Sequence, residues 1–172
     1  MSGNMEKKMN SLLKDQILLS MIDFEAGCPG RAQHFLKVYQ FAQIIADAEG
    51  MTGETREILD IATLMHDIGI RPCEEKYGHC TGKMQEEEGP AYARAMLKAA
   101  GCHSETLIER VCWLIAHHHT YDEFEGLDYR ILIEADYLVN AYENSASQEA
   151  IRSMRDRIFR TEMGRKLLDT MF

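Results

Sequence analysis

Apolar residues recur at three- and four-residue spacings along almost the whole chain, with no sustained period-two alternation between turn signals. That repeat covers one face of an α-helix and does not fit the two faces of a strand. It predicts an all-α fold, a compact helical bundle. A first helix is expected over about residues 6–24, with Leu12, Leu13, Ile17, Leu19, Met21 and Ile22, stopping at Gly27-Cys28-Pro29-Gly30. A second runs from Arg31 to near Gly50, and a third from about Glu54 to Asp67. Gly69 is expected in the left-handed conformation that closes a helix, and Pro72 to block its resumption, so residues 70–84 read as a loop. A fourth helix is placed from Gln85 or Glu86 to Ala100, with Gly89-Pro90 near its first turn, where proline is tolerated. Ser104 caps a fifth that ends at His117-His118-His119, and Asp128 caps a sixth. Ser145-x-x-Gln148 has capping-box form ahead of a seventh, and Thr161 caps a last short one.

A length of 172 residues suits one domain, expected over residues 1–172 with a core at about 29–142. Charge narrows the partners. With 28 acidic against 19 basic residues the formal net charge is -9, which repels phosphate backbones and argues against a nucleic-acid polymer or an anionic membrane surface. No apolar run approaches the roughly 18 residues of a membrane span, and the polar N-terminal stretch is unlike a secretory signal, so the expected location is cytoplasmic. The five cysteines are odd in number and form no C-x-x-C pair, so they read as reduced thiols.

The informative residues are ionisable ones standing where the helical pattern expects apolar ones. His34 is in register with Val38, Phe41 and Ile45; His66 follows Leu59, Ala62 and Met65; Asp136 lies between Ile133 and Val139. Singly, each has a bland reading as a hydrogen-bonded core residue or a partner for arginine. Together with Asp67 they supply imidazole nitrogens and carboxylate oxygens, a donor set suited to Fe, Mn, Zn or Co. Adjacent residues in a helix point about 100° apart, so His66 and Asp67 share an ion most easily at a helix end. Such a site leaves room for water and a phosphoryl oxygen, as metal-assisted hydrolysis requires.

With Arg31-Ala32-Gln33-His34, Leu64-Met65-His66-Asp67-Ile68-Gly69 and Ile133-Glu134-Ala135-Asp136, the chain resembles the HD-domain superfamily of metal-dependent phosphohydrolases. The resemblance spans most of the chain. It implies a helical phosphodiesterase-like bundle in which His34, His66, Asp67 and Asp136 bind one or two divalent ions (Fe, Mn, Co, Mg or Zn). It also implies hydrolysis of a small phosphate ester, a nucleotide or related metabolite. Asp67 would bridge two ions or orient the attacking water.

The run His117-His118-His119-Thr120-Tyr121-Asp122 looks like the H-H-x-x-x-D stretch of the cyclic-dinucleotide phosphodiesterase branch and nominates His117 and His118. The Gly-Tyr-Pro of that branch is missing, so its substrate is not carried over. Periodicity places His118 in register with Val111, Leu114 and Ile115. The run also reads as a solvated helix end favoured by the helix dipole. Members with two metals carry another histidine shortly before the glycine that opens the next helix; here Gln85 and Glu86 stand there, before Gly89. Glu86 is a candidate ligand or general acid-base group, or one charge of an acidic first turn. Arg71 stands where some nucleotide-hydrolysing branches have an acidic residue. Arg31, Arg71 and Lys83 are candidates for binding substrate phosphate, and equally readable as surface cations. A homodimer is compatible with the sequence. The competing class is a catalytically weak or inactive ligand-sensing module that keeps the metal site.

Overall fold

Every segment with a three- to four-residue apolar repeat forms a helix in the computed structural model. It describes residues 2–121 and 126–172, with side chains from residue 12 onward. Helices α1 (Ser2–Phe24), α2 (Pro29–Ala48) and α3 (Gly53–Met65) are followed by α4 (Ile70–Tyr77), α5 (Gly82–Ala99) and α6 (Glu105–Ile115). The chain closes with α7 (Leu127–Glu143), α8 (Gln148–Ile158) and α9 (Glu162–Met171). No strand occurs among the described residues. Helix α3 is at the centre, packed against α1, α2, α6 and α7, and α7 also packs along α2. Their sequences explain the placement: Ile58, Leu59, Ile61, Ala62, Leu64 and Met65 of α3 are buried, as are Ile131, Leu132, Ile133, Ala135, Leu138 and Val139 of α7. Helices apolar on nearly all sides belong inside a bundle.

Residues 70–84 are not a loop. Gly69 is right-handed, at φ -71°, and the chain turns straight into α4 with Pro72 as its third residue. A proline there loses no helical bond, because the first N–H groups of a helix have no partner within it. Gly69 is needed for closeness rather than for handedness. A Cβ at this position would lie 2.7 Å from the Gln85 carbonyl oxygen and 2.9 Å from the Gln85 Cα. Helix α5 begins at Gly82, capped by Thr81, whose hydroxyl accepts from the Met84 N–H at 3.3 Å. Gly89 and Pro90 therefore fall in its interior, well beyond the first turn. Pro90 removes one backbone bond there, and Gly89 lets α6 approach, since a Cβ would meet Ile115 Cγ2 at 2.7 Å.

Ser104 and Thr161 cap α6 and α9 through their side chains. Asp128 does not cap α7; Gly126 occupies the cap position, and the Asp128 carboxylate accepts from Arg110 Nε at 2.9 Å and Nη2 at 2.8 Å. Ser147, not Ser145, caps α8. All five cysteines are free thiols. No helix of the described residues is long and apolar enough to cross a membrane.

Candidate metal centre

Three helices that pack on one another each bring a donor to one buried point. His34 comes from the inner face of α2, His66 from the turn that ends α3, and Asp136 from the middle of α7. His34 Nε2 lies 3.2 Å from His66 Nε2 and 3.2 Å from Asp136 Oδ1, and His66 Nε2 is 3.4 Å from the same oxygen. Asp67 Oδ2 is 3.4 Å from both imidazole nitrogens. Its other oxygen, Oδ1, lies 3.6 Å from His118 Nε2. The helix end at Met65 makes this possible, because the turn that follows lets His66 and Asp67 face the same side.

Hydrogen bonds fix which atoms face inward. His66 Nδ1 donates to the Thr63 carbonyl at 2.9 Å, and His118 Nδ1 to the Ile115 carbonyl at 2.7 Å. Carbonyls only accept, so these protons sit on Nδ1 and each Nε2 presents a lone pair. His34 Nδ1 is 2.8 Å from Glu143 Oε2, and Asn140 Nδ2 donates to Asp136 Oδ1 at 2.8 Å. The centre thus has more acceptors than donors. Without a cation, protons take up part of the excess. Burial opposes charge on His66, but Asp67 and Asp136 hold its pKa well above the usual imidazole value. Burial likewise opposes charge on Asp67 and Asp136; the histidines outweigh it and hold both carboxyls low. His118 Nε2 is fully buried and has no hydrogen-bond partner. An orphaned lone pair beside a carboxylate, two more imidazoles and a second carboxylate fits a divalent ion.

A cleft of about 260 Å³ opens onto these donors, with Arg31, His34, Asp67, Gln85, His119 and Glu143 among its lining residues. Larger depressions of about 420 and 570 Å³ occur elsewhere and contain none of the cluster's donors.

The family model of the HD domain matches residues 31–158. The chain belongs to the HD-domain family. A crystal structure of a predicted HD superfamily hydrolase from an uncultured Thermotogales bacterium is similar, with a TM-score of 0.64 and 26% identity. The likeness covers 91% of this chain and 83% of that one. No curated protein matches.

In this HD domain a second group of donors adjoins the first. Asp67, His118 and His119 present atoms that all lie within 4.8 Å of one another, as do those of His34, His66 and Asp67. The histidine pair facing the centre is therefore 118–119 and not 117–118. His117 turns away: its Nδ1 donates to the Trp113 carbonyl at 2.7 Å, and its ring stacks on Trp113 with centroids 4.3 Å apart. His118 keeps the inward position that the α6 register implies, and its partner is His119 because α6 ends at Ile115 and the chain then turns. Burial, then the neighbouring His118, pushes the His119 pKa down to about 4. Its Nε2 is 3.0 Å from Gln85 Oε1. Glu86 points instead at the turn, where Oε1 accepts from His119 N–H and Thr120 Oγ1, each at 2.9 Å. Asp122 lies outside the described residues.

Of Arg31, Arg71 and Lys83, only Arg31 lines the cleft. It is held by Glu25 at 2.9 Å and by Glu74 at 2.5 Å. Arg71 bonds the Ala26 carbonyl at 2.8 Å and approaches Glu25 at 3.5 Å, beside the cleft rather than in it. Lys83 is 83% exposed and pairs loosely with Glu87 at 3.9 Å. Sequence reasoning did not single out Asn140 and Glu143, although Asp136, Asn140 and Glu143 follow an i, i+4, i+7 pattern that puts them on one face of α7. In the sequence Gln85 is a departure from the two-metal pattern, and His119 is simply the last of three consecutive histidines. No spacing in the sequence brings those two together.

Proposed function

We propose that this HD domain is a metal-dependent phosphohydrolase acting on a small phosphate ester, a nucleotide or related metabolite. The observation that carries the reading is the acceptor-rich centre of His34, His66, Asp67 and Asp136, with the unpartnered Nε2 of His118 beside it. A divalent ion held there supplies Lewis acidity and lowers the pKa of water. The chain's own residues do the rest. Asp67 faces both donor groups, Oδ2 toward His34 and His66 and Oδ1 toward His118, which suits it to orient an attacking water and take its proton. Arg31, fixed by two carboxylates, offers a guanidinium at the cleft wall for phosphoryl oxygens. The cleft volume favours a small substrate over a polymer. Family membership and the hydrolase name of the structural relative support hydrolysis.

A second reading, a ligand-sensing module with little or no turnover, is favoured by Gln85, a neutral amide bonded to His119 where a further ligand would complete the second group. One experiment separates the two. Protein stripped by a chelator is reloaded with Mn²⁺, Fe²⁺, Co²⁺, Mg²⁺ or Zn²⁺ and screened against phosphomonoesters and phosphodiesters, with His66→Ala in parallel. Turnover that requires both metal and His66 supports the hydrolase. Metal bound through His66 without turnover of any ester supports the sensing module.

A further inference from the structure

His34, His66 and His118 each have the ring held through Nδ1, but His34 differently from the other two. His66 and His118 follow the last residues of α3 and α6, where carbonyl groups lack helical donors, and each bonds the carbonyl three residues back. His34 lies inside α2, where the helix's own N–H groups use the nearby carbonyls. Its partner comes from another helix. Glu143, the last residue of α7, places Oε2 2.8 Å from His34 Nδ1, while its Oε1 accepts from Lys37 Nζ. Lys37 stands three residues after His34 on α2, so both ends of the chain Lys37–Glu143–His34 rest on one helix face. His34 also has the least packing to confine it, being 8% exposed where His66 and His118 are at 0%.

We propose that Glu143 is the positioning residue of the metal centre: its carboxylate holds the His34 ring with Nε2 aimed at the ion, and Lys37 holds the carboxylate. This rests on the reading of the His34–His66–Asp67–Asp136 cluster as a metal site. A charged acceptor forms a stronger bond than a carbonyl and raises the basicity of the imidazole it holds. The arrangement puts that influence on a histidine of the His34–His66–Asp67–Asp136 cluster whose ring no backbone group fixes.

The test uses the full chain, stripped with a chelator and titrated calorimetrically with Mn²⁺ alone. Glu143→Ala is expected to weaken Mn²⁺ binding about 10–100-fold, the usual effect of losing the partner of a metal-bound histidine. Glu143→Gln, which keeps an oxygen acceptor, is expected to recover most of that loss, and Lys37→Ala to weaken binding less than Glu143→Ala. The Glu143 side chain is 29% exposed, so the thermal midpoint of metal-free Glu143→Ala should stay near that of the wild type. Wild-type affinity in Glu143→Ala overturns the inference, as does a Gln variant no better than the Ala variant. So does a fall in the metal-free midpoint with no change in affinity. If wild type itself binds no Mn²⁺ and His66→Ala is indistinguishable from it, the metal reading falls and this inference with it.

Discussion

Glu134 and Asp136 lie two residues apart on α7, and both are buried carboxylates, at 0% and 2% exposure. Their surroundings are opposite. Glu134 faces the start of α9, where its Oε1 accepts from the Arg160 and Thr161 N–H groups at 2.6 and 3.0 Å and its Oε2 from the Thr161 hydroxyl at 2.5 Å. Asp136 faces His34, His66 and Asp67, whose facing atoms are themselves acceptors unless protonated. One carboxylate meets a full set of donors and ties two helices together; the other meets a shortage of donors, which a cation would fill. What separates a structural from a functional buried charge here is the balance of donors and acceptors around it, not burial.

The sharpest break of that comparison is Asp136→Asn, which keeps shape and removes charge. Its loss of metal affinity should exceed the 10–100-fold typical of a residue that merely supports a ligand, measured by metal titration, with ester hydrolysis lost alongside. Glu134→Ala should do the reverse. Unpairing its buried donors is expected to destabilise the protein by about 3 kcal/mol in denaturant unfolding, with Mn²⁺ affinity unchanged below the transition. Gly164→Ala probes the same contact more gently. The added Cβ would sit 2.0 Å from Glu134 Oε2, so a loss of about 1–3 kcal/mol is expected.

The histidine side of the comparison responds to pH. His66 has a folded pKa above its ordinary 6.5, so its contribution to metal-free stability is fully present below pH 6.5 and lost as pH rises through the folded value. Asp67 is shifted the other way; its contribution is present above its ordinary 3.8 and lost as pH falls through the folded value. Metal-free protein should therefore lose stability above pH 6.5. Mn²⁺ affinity should rise over the same range, by up to about tenfold per pH unit for each proton displaced. An affinity independent of pH there would contradict protonated histidine in the empty centre. The smallest effect is expected at Lys83→Ala, within about 0.5 kcal/mol in stability and without change in kcat/KM, because its side chain stands in solvent.

Where burial decided structure, the sequence was readable. His34, His66 and Asp136 stood in apolar registers and converge as those registers imply. Where the chain leaves a regular helix, reading failed. Pro72 reads as a helix breaker, yet at the third position of α4 it interrupts nothing, and α5 carries Pro90 in its interior because packing on α6 holds it. The α6 register points to His118, which is buried beside Asp67, but the resemblance to an H-H-x-x-x-D stretch pairs it with His117, whereas the turn after Ile115 brings His119 to Asp67. Lys83 counted as a candidate only because residues 70–84 read as a loop beside the site; on the first turn of α5 it points outward.

The sequence by itself determined a helical bundle and three inward ionisable residues, His34, His66 and Asp136, because a helical repeat fixes which residues must leave water and a buried ionisable residue must find a partner. Only the tertiary structure decided that Glu134 meets backbone N–H groups at the start of α9 while Asp136 meets imidazoles, that His119 rather than His117 joins His118 beside Asp67, and that Glu143 reaches His34. Each of those depends on which atoms two packed helices or one turn bring within about 3 Å, a length that hydrogen bonds require and sequence spacing does not encode.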